Sequence, residues 1–139
     1  MKKILSLALV FVMMFAFVSC GKSVEDIEKN LEKADYKVTV LDGDAATTAA
    51  ERIIAEMDIE IDGDVVAVLT AVKDDEYVQA IEFEKASDAK AFEKAYKDQL
   101  KELEEELGDD FDEDDYGVYD RAGKTVISAS SKDAMKDAK

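Results

Sequence analysis

Two apolar, β-branched segments lie in the middle of the chain, and only a short charged stretch separates them. The first runs from Ile59 to Val72, with a break at Asp62-Gly63, and the second runs from Tyr77 to Glu84. Residues 73–76 are all charged, which predicts a turn between two strands. This strand pair constrains the fold most, because the rest of the chain has to cover its apolar side chains.

Helical periodicity occurs on both sides of the strand pair. An alanine-rich stripe predicts a helix from Ala45 to Met57, after a turn at Asp42-Gly43-Asp44. A longer helix is expected between Ser87, as its N-cap, and Gly108, which ends it. Its apolar stripe consists of Ala89, Phe92, Tyr96, Leu100, Leu103 and Leu107.

Shorter elements are expected at both ends of the chain. A helix from Ser23 to Ala34 begins with a capping pair, Ser23 and Asp26, and precedes an alternating strand from Tyr36 to Leu41. Residues 116–128 predict a strand or hairpin around Ala122-Gly123. Ser130 or Ser131 then begins a short C-terminal helix.

The element order β-α-β-β-α-β predicts an α+β domain. We expect a mostly antiparallel four- to five-stranded sheet with helices on one face, an added N-terminal helix and a short C-terminal helix. This order is that of the ferredoxin-like fold, and an open four- or five-stranded sheet is the alternative. Neither arrangement identifies a function, since folds of this kind serve many.

The first residues have the pattern of an export signal. Lys2 and Lys3 are followed by an apolar run from Ile4 to Val18 that only Ser6 interrupts. A basic start, a run of about 15 apolar residues and a small residue before the cut are typical of a secretory signal peptide. The run is short for a membrane span, and an uncleaved anchor helix is the alternative.

The end of this run carries a family resemblance. Phe17-Val18-Ser19-Cys20 resembles the lipobox of bacterial lipoproteins, with Phe17 in the place where leucine is usual. The resemblance covers residues 1–20 and implies cleavage after residue 19, so that residues 1–19 are a signal peptide. It further implies diacylglyceryl modification and acylation, such as by palmitate, of Cys20, and therefore a lipid anchor on the extracytoplasmic face of the cell membrane.

Physical chemistry agrees with a modified Cys20, because it is the only cysteine and has no disulfide partner. Residues 20–22 would then be a short lipidated tether, and residues 23–139 a single domain. Since a short isolated helix is marginal in water, we expect fraying in the first turn of the helix that follows.

The charge of the chain limits its partners. Residues 20–139 contain all 34 acidic residues but 16 of the 18 basic ones, which gives a formal net charge of −18. This charge argues against nucleic-acid binding and against adhesion to anionic lipid by charge. The partners we expect are the membrane, through the N-terminal lipid, and a basic protein or another membrane protein.

The residue types argue against an enzyme. The chain has no histidine, so the commonest general base and metal ligand is missing, and no spacing marks a catalytic pair of carboxylates. We therefore expect no catalytic residues and no cofactor. A binding or assembly role at the cell envelope is the favoured prediction.

An acidic segment offers an alternative function. Ten of the fourteen residues from Glu102 to Asp115 are acidic, and Asp110, Asp112 and Asp114 have the D-x-D-x-D spacing of a calcium loop. The EF-hand pattern fails, because its Gly and Glu positions hold Asp115 and Arg121. Residues 109–115 are therefore either a weak calcium or magnesium site or a solvated acidic loop.

Tyrosines add a second possibility near this segment. Tyr116 and Tyr119 flank it, and Tyr36, Tyr77 and Tyr96 lie elsewhere in the sequence. A tyrosine cluster beside acidic residues is suited to a cationic peptide or a small cation. The alternative is that these rings fill the edge of the core.

Overall fold

The computed structural model describes residues 22–139, and these residues form an antiparallel sheet of five strands with four α-helices. Cys20 and the predicted signal peptide, residues 1–19, lie outside the described residues. The elements, in chain order, are α1 (Val24–Lys33), β1 (Lys37–Asp42), α2 (Gly43–Glu56), β2 (Val65–Lys73), β3 (Glu76–Phe83), α3 (Ala86–Leu107), β4 (Val118–Ala122), β5 (Thr125–Ala129) and α4 (Lys132–Ala138).

The α+β prediction is confirmed, and the element order along the chain fits a ferredoxin-like arrangement at a coarse level. Within the sheet the strand order is β1-β2-β3-β5-β4, and every neighbouring pair is antiparallel. β1 is thus a direct neighbour of β2, although a helix separates them in sequence. The ferredoxin-like description therefore applies to the order of elements and not to the strand order in the sheet.

Helices cover both faces of the sheet. The two helices between strands, α2 and α3, lie on one face, in agreement with the prediction of helices on one face. The terminal helices α1 and α4 cover the opposite face and pack against each other. The reason is that the central strands have buried side chains on both faces, as in Val78 and Ile81 of β3.

The N-terminal helix α1 is fixed to the domain along its whole length. Ser23 and Asp26 form the predicted capping box, and the backbone N–H of Val24 donates a hydrogen bond of 2.9 Å to the Glu82 carboxylate. Val24, Ile27 and Leu31 are buried. The cap and the core both hold this turn, which argues against the expected fraying.

The predicted strand from Ile59 begins too early. β2 starts only at Val65, and in the segment before it Ile59 and Ile61 pack against the core. The backbone N–H groups of Asp62 and Gly63 donate hydrogen bonds of 3.0 and 2.9 Å to the buried Asp88 carboxylate. A strand would have paired these backbone groups with its neighbour, and here the Asp88 carboxylate satisfies them instead. The predicted break at Asp62-Gly63 therefore marks residues that lie outside the regular strand.

The beginning of α3 also differs from the prediction. Its N-cap is Lys85, without a side-chain cap, and Ser87 lies within the helix. The predicted hairpin is confirmed by the pairing of β4 with β5, and Ser131 caps α4 through the N–H of Ala134. Before β4, Gly117 has a φ of +79°, and a Cβ there would lie 2.5 Å from the Ala129 carbonyl oxygen, so only glycine fits.

Candidate functional site

A cleft of about 380 Å³ separates the C-terminal part of α2 from the middle of α3. Its walls are Ile53, Glu56 and Met57 on one side and Phe92, Tyr96 and Gln99 on the other, while strands β3, β5 and β4 form its floor. The three α3 residues share a helix face, since they are spaced by four and three positions. A recess of this size is in the range that binds small molecules.

The floor of the cleft consists of two rows across the sheet. Ile81 of β3 lies opposite Val126 of β5, and this row is apolar. In the next row, Gln79 lies opposite Ser128, and Ser128 lies opposite Tyr119 of β4. The cleft therefore has an apolar inner part and a row of neutral hydrogen-bonding groups next to it.

Two stacked tyrosines form one end of the cleft. The rings of Tyr96 and Tyr119 have centroids 4.4 Å apart and planes inclined by 18°. Nearby, hydrogen bonds from Lys97 and Arg121 lower the pKa of the Glu93 carboxyl. Because Arg121 lies two residues after Tyr119 on β4, its ion pair with Glu93 of α3 holds the strand and the helix together beside the stack.

The hydroxyl group of Tyr119 is buried and has no hydrogen-bond partner among the described residues. Burial raises the pKa of Tyr119, and the negative charge of Glu93 raises it further. Burying a hydroxyl group without a hydrogen-bond partner lowers the stability of a fold. The Tyr119 hydroxyl therefore calls for an explanation other than stability.

The other predicted tyrosines do not join this pair in one cluster. The Tyr116 ring stacks on Phe111 with centroids 5.3 Å apart. The backbone carbonyl oxygen of Tyr116 accepts a hydrogen bond of 3.4 Å from the Tyr96 hydroxyl. Tyr36 packs in the core on the opposite face, donates to Glu76 at 2.6 Å and has Lys73 over its ring. Tyr77 is partly exposed near the turn between β2 and β3.

The acidic segment forms two short 3₁₀ turns, Gly108–Asp110 and Glu113–Tyr116. Asp110 ends the first turn and Asp112 lies between the two, while the side chain of Asp114 lies outside the described part of the structure. Among the described side chains, no group of three or more carboxylates is arranged to hold a metal ion. The predicted calcium or magnesium site at residues 109–115 stays a prediction.

The sequence did not predict the cleft, although it predicted both helices that form its walls. One sequence feature next to the cleft is the acidic end of α2, where Glu56, Asp58 and Glu60 occur without a basic residue. Gln79 and Gln99 are further signals, because each places a neutral polar group beside apolar residues of its own element.

Comparisons of the chain with protein-family models, with curated proteins and with solved structures found no match. Within residues 22–139, no helix combines the length and the apolar character that crossing a membrane requires.

Replacing Tyr119 tests the environment of its hydroxyl. Tyr119→Phe removes an unpaired buried group, so the free energy of unfolding at pH 7 should rise by up to about 1 kcal/mol in urea denaturation. Because the pKa of Tyr119 is raised in the folded state, the unfolded chain loses this proton at a lower pH than the folded protein does. Stability therefore falls as the pH rises above the unfolded-state pKa of about 10. The variant should therefore lose stability less steeply than the wild type above that pH.

The matched control is Tyr116→Phe, the same chemical change at an exposed tyrosine. It should leave the free energy of unfolding at pH 7 within about 0.5 kcal/mol of the wild type. A loss of more than about 1 kcal/mol in Tyr119→Phe alone would show that the hydroxyl does have a stabilising partner.

Proposed function

We propose that this protein is a small lipoprotein, anchored by lipid on Cys20 to the extracytoplasmic face of a cell membrane. We further propose that its domain is a binding module and not an enzyme. The single observation that carries the binding role is the cleft between α2 and α3. It combines an apolar floor with a few neutral hydrogen-bonding groups, which is the usual character of a small-molecule site.

The composition of the cleft favours binding over catalysis. Glu56 is the one residue with a normally charged side chain among those that line it. General acid–base or nucleophilic catalysis needs at least one positioned titratable group with a partner that activates it. Gln79, Gln99 and Ser128 are instead suited to orient a ligand by hydrogen bonds.

The anchor and the domain are close together in sequence. Gly21 and Lys22 separate Cys20 from the cap of α1, and two residues span at most about 7 Å. Since α1 is packed and capped, it does not serve as a flexible stalk. In this proposal the domain therefore stays beside the membrane surface and meets ligands or partner proteins there.

Lipidation can be tested by metabolic labelling in bacteria that express the full chain. Labelled palmitate should enter the wild type and not Cys20→Ala. The control is Cys20→Ala combined with Lys22→Cys, which retains a cysteine but moves it away from the cleavage sequence, and it should also remain unlabelled. Equal labelling of the wild type and Cys20→Ala would contradict the anchor.

The binding role can be tested with the neutral fluorophore N-phenyl-1-naphthylamine. Its fluorescence should increase on titration with the wild-type domain and saturate at one site per chain. Ser128→Phe should abolish this binding, because a larger side chain on the floor fills the cleft, whereas strand positions tolerate aromatic residues.

Thr39→Phe is the matched control, since Thr39 is exposed on β1 and does not line the cleft. It should bind the fluorophore like the wild type, and circular dichroism should show both variants folded. Absence of saturable binding, or equal binding by a folded Ser128→Phe variant, would contradict a ligand site in the cleft.

A further inference from the structure

The cleft adjoins a wider groove on its outer side. This groove lies between residues 56–60 and α3, and it shares Glu56, Met57 and Gln99 with the cleft. A ligand seated on the apolar floor can therefore extend past these three residues into the groove. The groove and the cleft together make one continuous surface with an apolar inner part and an open outer part.

Carboxylates are concentrated around the outer part. Glu56, Asp58 and Glu60 lie on one wall, and Asp98 and Glu102 of α3 lie on the other. The one basic residue lining this groove, Lys94, is paired with Asp98 at 2.7 Å. No ion pair involving Glu56, Asp58 or Glu60 occurs among residues 22–139, so the wall they form is strongly negative.

The end of α2 adds to this negative potential. Carbonyl groups at the C-terminus of a helix carry partial negative charge, and helices usually place a basic residue there. α1 and α4 follow this rule with Lys33 and Lys136 in their last turns, whereas α2 and α3 do not. α2, which ends at the cleft with Glu56, has no basic residue in its last turn. A cation at this place would offset both the helix end and the carboxylates.

We propose that the cleft binds an organic cation with an apolar body. This proposal rests on the proposed binding function and specifies its ligand class. The apolar body lies on Ile81, Phe92 and Val126, and the ammonium or guanidinium group lies at the mouth beside Glu56. The same surface disfavours organic anions, because the carboxylates around the mouth repel them.

The test uses three ligands with the same apolar body. 4-Phenylbutylamine is cationic at pH 7, 4-phenylbutan-1-ol is neutral and 5-phenylpentanoate is anionic. Each competes with N-phenyl-1-naphthylamine for the full domain at low ionic strength. Because each exposed ion pair contributes modestly, the amine should bind about fivefold to tenfold more tightly than the alcohol, and the pentanoate should bind most weakly.

Two variants with equal charge changes locate the effect. Glu56→Gln should reduce the preference for the amine over the alcohol by about threefold. Glu51→Gln, at an exposed position of the same helix outside the cleft, should leave both affinities unchanged. Raising the ionic strength should reduce the preference in the wild type.

The possible results of the competition experiment distinguish the cationic ligand class from the binding role of the cleft. Equal competition by the amine and the alcohol would overturn the cationic ligand and leave a binding cleft in place. Displacement of the fluorophore by a lysine-rich peptide but not by the amine would overturn the small cation in favour of a peptide. If the fluorophore itself fails to bind, the proposed function fails, and the inference fails with it.

Discussion

The structure depends on the burial of both faces of the central strands. In β3, Val78 and Ala80 face one side of the sheet, while Ile81 and Phe83 face the other, and all four are buried. A sheet of this kind exposes apolar surface unless helices cover both faces, and burying a side chain such as Val78, Ile81 or Phe83 contributes about 1.5–3 kcal/mol. The terminal helices are therefore part of the core and not appendages.

The two faces are covered in different ways. On one face α1 and α4 pack together, and the Asn30 side chain of α1 donates a hydrogen bond to the Ala138 carbonyl oxygen of α4. On the other face the segment between α2 and β2 packs against the core through Ile59 and Ile61, and the Asp88 carboxylate holds its backbone. The cleft lies on this second face, between the C-terminal part of α2 and the middle of α3, over β3, β5 and β4.

This geometry places unlike chemical groups side by side. The floor is apolar at Ile81 and Val126, the adjoining row is neutral and polar, and the mouth is acidic. Other acidic residues of this chain are simply solvated, as are the exposed Glu104 and Glu106 near the end of α3. Glu56 differs because it lies at a helix end and beside an apolar recess, and this combination is the basis of the proposed ligand class.

The sequence predicted the elements better than their arrangement. Periodicity identified α2, α3 and the β2–β3 pair, because apolar spacing reports which side of an element is buried. It did not identify the β1–β2 pairing or the faces taken by α1 and α4, since these depend on contacts between distant residues. Asp88 is the clearest example: it comes directly after the predicted N-cap Ser87, but its carboxylate accepts hydrogen bonds from the backbone of residues 62 and 63, which the sequence did not predict.

The candidate site was less predictable still. The cleft is assembled from Ile53, Tyr96 and Ser128, which come from three elements and have ordinary roles when each is considered alone. The sequence instead drew attention to the acidic segment and to Tyr116, because clustering along the chain is visible without a fold. Contact between a helix and a strand, as between Tyr96 of α3 and Tyr119 of β4, becomes visible only in the folded structure.

The cleft between α2 and α3 is the proposed ligand site. Backbone amide chemical shifts of the labelled domain, recorded during titration with 4-phenylbutylamine, can locate the bound ligand. Saturable changes should be concentrated at Ile53, Met57, Gln79, Gln99 and Ser128. Changes concentrated in residues 108–116, or spread evenly over the acidic surface, would contradict it.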